Sequence, residues 1–215
     1  MPPYLLDTGL QSTSGGKEKS KLMKFTERQT QIILAATELI GIGGLQKLTT
    51  KNLAAKMGFS EPALYRHFKD KNEILRSILL YFKGTMGEGL RHIVINNNNG
   101  MQKLQEIIKF QFEFFVKYPA VIMVIFSETS FQDDKSLSLT VKNILQEKRQ
   151  IVNEILTIGQ KDGSIRADVD IEQLTSIIMG SMRVTVLNWR LQGFDFDLLK
   201  EGKKLQDTMT KLLKK

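Results

Sequence analysis

The sequence predicts an all-α protein. Apolar residues recur at helical spacing from Thr26 almost to the C-terminus, and no segment of useful length shows the alternation of apolar and polar residues that is typical of a strand. Hydrophobic residues make up 41% of the 215-residue chain and charged residues 25%, as in ordinary globular proteins. We expect about nine helices, arranged as a small N-terminal unit of three helices and a larger C-terminal helical body.

The composition excludes several classes of protein. Cysteine is absent and histidine occurs only twice, so the sequence offers neither a thiol nucleophile nor a Cys-based or His-rich metal site. No nucleophile–base pair and no phosphate-binding loop is recognisable, and we therefore predict no cofactor, no metal and no enzymatic activity. No run of about 18 apolar residues and no signal peptide is present, which predicts a cytoplasmic protein.

The positive charge is concentrated at the N-terminal end. The net charge of the chain is +8, and residues 1–71 carry +5 of it, with 11 Lys or Arg against 6 Asp or Glu. This distribution suggests a polyanionic partner for the first third of the chain, although solubility alone is an equally good explanation.

Residues 1–24 are predicted to be a tail. They contain Pro2, Pro3, a patch of Ser, Thr and Gly at 12–16, and then the basic segment KEKSKLMK. We expect a disordered or non-native tail, with the ordered protein beginning near Met23. The alternative is a basic arm that lies along DNA phosphates.

Three helices follow the tail. An apolar face that includes Ile32, Ile33 and Ile40 predicts the first, which glycines at 41, 43 and 44 end. Thr49 suits the N-cap of the second helix, and Gly58 suits a left-handed turn after it. In the third helix, Ser60 is the expected cap and Pro62 lies in the first turn, where its missing N–H costs little.

The expected inward and outward faces of these helices differ in character. Leu53, Met57, Leu64 and Phe68 are predicted to face the first helix, whereas Tyr65, Arg66 and His67 are left on the outside. A tight glycine turn followed by a helix with a polar and aromatic outer face predicts a helix-turn-helix, whose second helix can enter the major groove of DNA. An ordinary helical corner with a solvated face is the alternative.

The body begins at Asp70. Asp70-Lys71-Asn72-Glu73 has the spacing of a capping box and opens a helix through Phe82. Further helices are predicted after the loop at Asn96–Gly100, as an aromatic-rich helix to Tyr118, a short apolar helix, and a long helix from about Ser136 to Gln160. Two helices, Ile171–Leu191 and Asp197–Leu213, close the chain. The predicted domains are therefore residues 25–70 and 71–215.

The segment LTTKNLAAKMGFSEPALYRHFKDK, Leu48–Lys71, resembles the DNA-binding segment of the tetracycline-repressor family of bacterial transcriptional regulators. The shared features are the threonine pair, L-A-x-K-x-G before the turn, and P-x-L-Y-x-H-F followed by K-x-K. The resemblance extends over roughly Thr26–Leu79, while the remainder is similar to the family only in its helical layout.

The resemblance implies a set of DNA contacts. Phosphate contacts are expected at the starts of two helices, from Thr50, Lys51 and Lys71. Base-facing residues are expected at the N-terminal end of the recognition helix: Ser60, Glu61, Pro62 and Ala63. Tyr65 and His67 resemble the residues that touch the sugar-phosphate backbone. Arg66 occupies a variable position and contacts either a guanine or a phosphate, and Glu61 either selects a cytosine amino group or repels wrong sites.

In this family the body binds a small molecule and forms a dimer. Aromatic residues around 110–126 exceed what one helix face can bury and suggest a pocket for an apolar or amphipathic effector, although a plain helical core is as good an explanation. The candidate ligand-binding residues are Phe110, Phe114, Met123, Phe126 and Arg183. The last two helices are expected to form a four-helix dimer interface. Its candidate residues are Ile171, Leu174, Ile178, Ser181, Thr185, Leu205, Met209 and Leu212.

The function that these observations favour is a ligand-responsive transcriptional repressor. It is expected to bind a palindromic operator in double-stranded DNA as a homodimer and to be released by a small effector, which the sequence does not identify. The alternative is a DNA-binding dimer whose body senses no small molecule. An enzyme is the least favoured of the three.

Overall fold

The structure, a computed structural model, describes residues 25–126 and 134–214, and the predicted tail of residues 1–24 lies outside these ranges. Within them the chain forms nine α-helices and no strand, which confirms the all-α prediction. The helices are α1 (Glu27–Gly43), α2 (Thr50–Met57), α3 (Glu61–Leu64), α4 (Lys71–Ile95), α5 (Gly100–Lys117), α6 (Pro119–Ile125), α7 (Lys135–Asp162), α8 (Ile171–Leu191) and α9 (Leu198–Leu213). A 3₁₀ turn, Leu45–Lys47, joins α1 to α2.

Two of the three predicted features of α2 and the turn after it are present, the Thr49 cap and the left-handed Gly58. The Thr49 hydroxyl accepts a hydrogen bond from the Asn52 N–H at 3.0 Å and so caps α2. Gly58 ends α2 in the left-handed conformation, with φ 67° and ψ 32°, which a residue without a Cβ adopts at no steric cost. Ser60 stands at the N-cap of α3, but its side chain makes no capping hydrogen bond, in contrast to the prediction.

The third helix is shorter than expected. It ends at Leu64, and tight turns follow in which the His67 N–H bonds the Leu64 carbonyl. Leu64 and Phe68 are nevertheless buried, as is Leu53 of α2, whereas Met57 is only half-buried. Leu53, Leu64 and Phe68 belong to the same hydrophobic cluster as Ile32 and Ile33 of α1, whereas Tyr65 and Arg66, between Leu64 and Phe68, are exposed.

Helix α4 links the two parts of the molecule. The Asp70 carboxylate caps it by accepting from the Glu73 N–H, while the Glu73 carboxylate accepts from the Lys69 N–H rather than completing a capping box with Asp70. The helix has 25 residues, which corresponds to about 37 Å at 1.5 Å per residue. At its far end the buried Lys103 ammonium donates to the carbonyls of Ile93, Val94 and Asn96, so that these helix-terminal acceptors are satisfied.

The body is built around α5, which packs against α7 and α9. Two glycines allow α5 and α7 to approach closely: a Cβ added at Gly100 would lie 2.2 Å from backbone atoms of Gly159. The Gly100 N–H also donates to the Asp162 carboxylate at 2.8 Å. Helix α7 in turn packs against α4 and α8, so one long helix touches most of the body. None of the helices that the structure describes is long and apolar enough to span a bilayer.

We expect Gly100→Ala to destabilise the protein by about 1–3 kcal/mol, because the added methyl group meets backbone atoms that no side-chain rotation can move. Urea unfolding monitored by circular dichroism measures the change. Gly87→Ala is the matched control: a Cβ there meets nothing within 4 Å, and alanine in a helix interior should raise stability by up to about 1 kcal/mol. Equal stability of the two variants would contradict the close approach of α5 and α7.

The last two helices do not present the predicted stripe. Leu174, Ile178 and Met209 are buried inside the subunit, so these three predicted interface residues are unavailable to a partner. The reason is that α8 turns this side toward the body and the adjacent side outward. Of the other predicted residues, Leu212 is exposed, and four are half-buried: Ile171, Ser181, Thr185 and Leu205. The outward side of α8 instead carries Ile177, Val184 and Leu191, which are 52%, 56% and 67% exposed.

Candidate nucleic-acid interface and body cavity

Most of the residues that were predicted to contact DNA lie on α3, at its N-cap or in the turn after it. Tyr65 is 49% exposed, and Ser60, Pro62 and Arg66 are exposed as well. Ala63 is half-buried rather than fully on the outside. Leu64 and Phe68 are buried in the core and hold the backbone of this segment in place. The exposed side chains between them therefore project from a rigid backbone.

Two of the predicted contact residues are bonded to each other. The Thr50 hydroxyl at the start of α2 donates to the Glu61 carboxylate at the start of α3, at 2.6 Å. The hydroxyl proton is therefore directed at Glu61 and not at a phosphate. What remains for a phosphate is the first turn of α2, where backbone N–H groups lack intrahelical acceptors, with the exposed Lys51 beside it.

His67 is half-buried in a small stack of side chains. Its ring lies 6.4 Å from the ring of Phe59 at an interplanar angle of 21°, and the guanidinium of Arg28 lies 4.3 Å from the Phe59 ring centre. The His67 carbonyl also accepts from the Gln29 amide at 3.3 Å. Sequence reasoning missed Arg28, because it belongs to α1 and its position beside α3 depends on how α1 packs.

Lys71, the first residue of α4, is half-buried, and its ammonium lies 3.3 Å from the Leu45 carbonyl oxygen. This contact holds the charge of Lys71 beside the 3₁₀ turn of the N-terminal unit, which also contains the exposed Lys51 and Arg66. With Lys47 and Lys69, which are also exposed, the N-terminal unit presents a set of cations suited to a phosphate backbone.

The body contains a cavity of about 630 Å³ between α4, α5, α6, α7 and α8. Its volume falls within the range of small-molecule sites. The apolar part of its wall is formed by Leu79, Met86, Phe115, Ile125, Phe126, Val141, Ile144, Leu145, Met179 and Val186. The polar and charged part is formed by Gln111, Ser138, Lys142, Gln146, Lys148, Arg149 and Arg183.

The predicted ligand-binding residues divide between this cavity and the core. Phe126 and Arg183 line the cavity, with the guanidinium of Arg183 lying 4.3 Å from the Phe126 ring centre. Phe114 is buried in an aromatic cluster, 6.2 Å from Phe82 and 5.0 Å from Tyr118 between ring centres, and does not line it. Phe110 packs over Gly89 of α4.

Met123, the fifth predicted ligand-binding residue, is a half-buried side chain packed against the core and is also absent from the cavity wall. Phe110, Phe114 and Met123 are therefore not part of the cavity wall, and of the three only Phe114 is buried in the core.

Of the cations that line the cavity, Arg183 was among the predicted ligand-binding residues, whereas Lys142, Lys148 and Arg149 were not. Lys148 is half-buried, and burial, with the charge of Arg183 as a second cause, lowers the pKa of its ammonium to about 7. A signal was available: Lys148 interrupts the inward stripe of α7 between Ile144 and Val152, where an apolar residue is expected. Of the other cations, Arg149 is bound by Glu172 at 2.6 Å.

Two family models match the chain. The model for bacterial regulatory proteins of the tetR family matches residues 32–78, and the model for the C-terminal region of YsiA-like proteins matches residues 82–213. The first range includes α2, α3 and their turn. The second includes every helix that contributes to the cavity, apart from the first part of α4.

Individual proteins are similar over most of their length. The fatty acid metabolism regulator protein of Bacillus subtilis is 26% identical over 169 residues, which cover 79% of this chain and 87% of that protein. The structure of the fatty acid degradation regulator FadR from Bacillus halodurans has a TM-score of 0.75 and 20% identity, covering 87% of this chain and 96% of that one. The transcriptional regulator FadR from Bacillus subtilis in complex with stearoyl-CoA has a TM-score of 0.70 and 23% identity, covering 84% and 97%.

Proposed function

The chain belongs to the tetR family of bacterial regulatory proteins, and we propose that it is a homodimeric repressor released from its operator by an amphipathic effector. That it is a DNA-binding transcriptional regulator and not an enzyme, as the sequence predicted, follows from the family. The homodimer, the operator contacts and the effector belong to the proposal, as does the division into a DNA-binding domain at 25–70 and a ligand-binding and dimerisation domain at 71–215.

The proposed DNA contacts come from exposed side chains, several of them cationic, on a segment whose backbone is held by buried residues. The backbone N–H groups at the start of α2, Lys51 and Lys71 bind phosphates, and Tyr65 contacts the sugar-phosphate backbone. Arg66 and the first turn of α3 face the bases in the major groove. His67 acts mainly through the stack with Phe59 and Arg28. This stack holds α3 and the turn after it in a fixed orientation.

The proposed dimer interface is the outward face of α8 with its neighbour α9. Ile177, Val184 and Leu191 follow one another at intervals of seven residues and form an apolar stripe that is exposed to solvent in the single subunit. Leu212 of α9, a helix that packs against α8, is 59% exposed and is the fourth apolar residue of the proposed interface. A second copy of the same face would bury all four side chains across a twofold axis.

The cavity is the proposed effector site, and its wall indicates the class of molecule. Ten apolar side chains suit a hydrocarbon chain, and the polar and cationic side chains suit a head group. A similar protein is named as a regulator of fatty acid metabolism, and a similar structure contains stearoyl-CoA. We therefore propose an acyl-chain compound as the effector. A body that only dimerises is the second candidate, and it would leave this cavity without a function.

Helix α4 is the proposed mechanical link between cavity and DNA. Leu79 and Met86 of α4 line the cavity, and Leu79 lies about 12 Å along the helix from Lys71, the proposed phosphate contact. Two contacts join α4 to α7, another wall of the cavity: Lys83 bridges to Glu147 at 2.6 Å, and the Asn72 amide donates to Asp134 at 2.7 Å. An effector that separates α4 from α7 therefore moves the N-terminal end of α4.

The observation that supports the proposal is this continuity: one helix begins at the N-terminal unit and forms part of the cavity wall. The DNA-binding half is tested first, with duplex DNA selected by the wild-type protein from a random-sequence pool. We expect Tyr65→Ala and Lys71→Ala each to weaken binding by about 10-fold. Lys71→Ala should also flatten the dependence of log affinity on log salt concentration by about one unit, because one phosphate contact is lost.

Fluorescence anisotropy at several salt concentrations measures both quantities, and circular dichroism checks that the variants are folded. Lys161→Ala, which removes an exposed charge at the far end of α7, is the control and should change neither quantity. Wild-type affinity in both variants would remove this face as the site of DNA binding.

A further inference from the structure

Lys148 is the one lysine that the structure places within the cavity wall on the inward side of α7. It follows Val141 and Ile144 along the stripe that points to the interior, and the next members of that stripe, Val152 and Ile155, are buried apolar residues. Its ammonium has no carboxylate partner among the described residues, whereas the neighbouring Arg149 is bound by Glu172 and the neighbouring Glu147 by Lys83.

The charged side chains that line the cavity beside Lys148 are all cations. Helix α8 brings Arg183 to the cavity wall, and α7 brings Lys142 and Arg149. Helix α4 contributes Leu79 and Met86, and α5 contributes Gln111 and Phe115, none of which is charged. No acidic side chain occurs among the described residues that line the cavity. An ammonium in such surroundings has lost part of its hydration without gaining an opposite charge, and this situation is unfavourable.

An anionic group from a ligand would offset the free-energy cost of desolvating the Lys148 ammonium, because it supplies the missing opposite charge. Resting on the proposed function, we propose that the effector carries a carboxylate into the cavity and that Lys148 pairs with that carboxylate. The hydrocarbon chain of the effector then lies along the apolar wall. Pairing with Lys148 would favour a free fatty acid over an acyl thioester. The fatty acid has a carboxylate at the end of its chain, whereas the thioester has a neutral carbonyl there.

The pH dependence of binding follows from the same geometry. Burial, and the nearby Arg183, lower the pKa of Lys148 to about 7 in the empty protein, and a bound carboxylate would raise it again. Carboxylate binding is therefore strongest at pH values below about 7 and weakens as the pH rises above it, by up to about tenfold per unit. A fatty acid remains ionised throughout, since carboxyl groups titrate near pH 4 to 5.

The test compares three probes that share a ten-carbon chain: decanoate, 1-decanol and decanoyl-CoA. Calorimetric titration of the full-length protein at pH 6.5 should show decanoate binding at least about tenfold more tightly than decanol. Lys148→Met should lower decanoate affinity by about 10- to 100-fold and leave decanol binding unchanged. Lys148→Arg should retain decanoate binding, and Lys161→Met should behave as the wild type. Between pH 6.5 and 8.5 the affinity for decanoate should fall in the wild type but not in Lys148→Met.

A structural role for Lys148 predicts something else. If the lysine only supported the fold, Lys148→Met would lower the unfolding temperature of the empty protein, whereas removal of an unpaired cation should leave it unchanged or raise it. Equal affinity for decanoate and decanol, or full decanoate affinity in Lys148→Met, overturns the inference and leaves the proposed function intact. If only decanoyl-CoA of the three probes binds tightly, and Lys148→Met does not change its affinity, the inference is likewise overturned and the proposed function is left intact. Failure of all three probes to bind overturns the proposed acyl effector as well.

Discussion

Val184→Asp should convert the protein from a dimer into monomers at micromolar concentration and weaken operator binding by at least about 100-fold. Val184 is 56% exposed in the subunit, so the substitution costs the subunit fold little. In the proposed interface the same carboxylate would be buried without a partner, which is strongly unfavourable. A monomer holds only one half-site at a time and loses the advantage of simultaneous binding, which is commonly worth a factor of about 100 or more.

Light scattering gives the oligomeric state, and fluorescence anisotropy on the selected duplex gives the affinity. Leu139→Asp is the matched control, since Leu139 of α7 is also 56% exposed but lies off the proposed interface; it should remain dimeric and bind DNA normally. Ile178→Asp, placed on the originally predicted stripe, should unfold the subunit instead, because Ile178 is 1% exposed inside it. A dimeric Val184→Asp protein would rule out this face.

Effector binding should lower operator affinity by about 5- to 150-fold, the usual range for coupled sites. The two recognition segments of a dimer must fit successive major grooves, which are about 34–36 Å apart. A shift of a few ångströms at the start of α4 moves Lys71 and the adjoining α3 away from their contacts together. Such release requires that the effector bind the shifted state more tightly, because a ligand with equal affinity for both states changes nothing.

Anisotropy measurements with and without saturating decanoate determine this factor in the wild type. Lys148→Met, which is expected to bind decanoate poorly, should keep its operator affinity at the same decanoate concentration. Release of DNA from Lys148→Met to the same extent would show that the fatty acid acts elsewhere on the protein.

The sequence predicted the N-terminal unit well because its signals are local. Thr49, Gly58 and Asp70 each act on backbone groups within a few residues, so the start and end of a helix can be inferred without knowledge of the tertiary structure. The bond between Thr50 and Glu61 was not foreseen, since it depends on the angle between α2 and α3.

In the body the decisive information is not local. Ile177 and Ile178 are adjacent and chemically alike, and only the rotation of α8 against the rest of the subunit determines that Ile178 is buried and Ile177 exposed. Phe114 and Phe115 are equally buried, but Phe115 lines the cavity and Phe114 does not. A cavity is space that packing leaves empty, and no pattern of spacing along a single helix specifies it.

The most direct test of the coupling between cavity and DNA is a calorimetric titration of decanoate into the wild-type protein, first alone and then saturated with the selected operator duplex. Linkage requires that operator DNA weaken decanoate binding by the same factor by which decanoate weakens operator binding. We expect decanoate affinity to be about 5- to 150-fold lower in the presence of operator. Equal decanoate affinities in the two titrations would contradict it and would leave a DNA-binding protein whose cavity does not control the DNA.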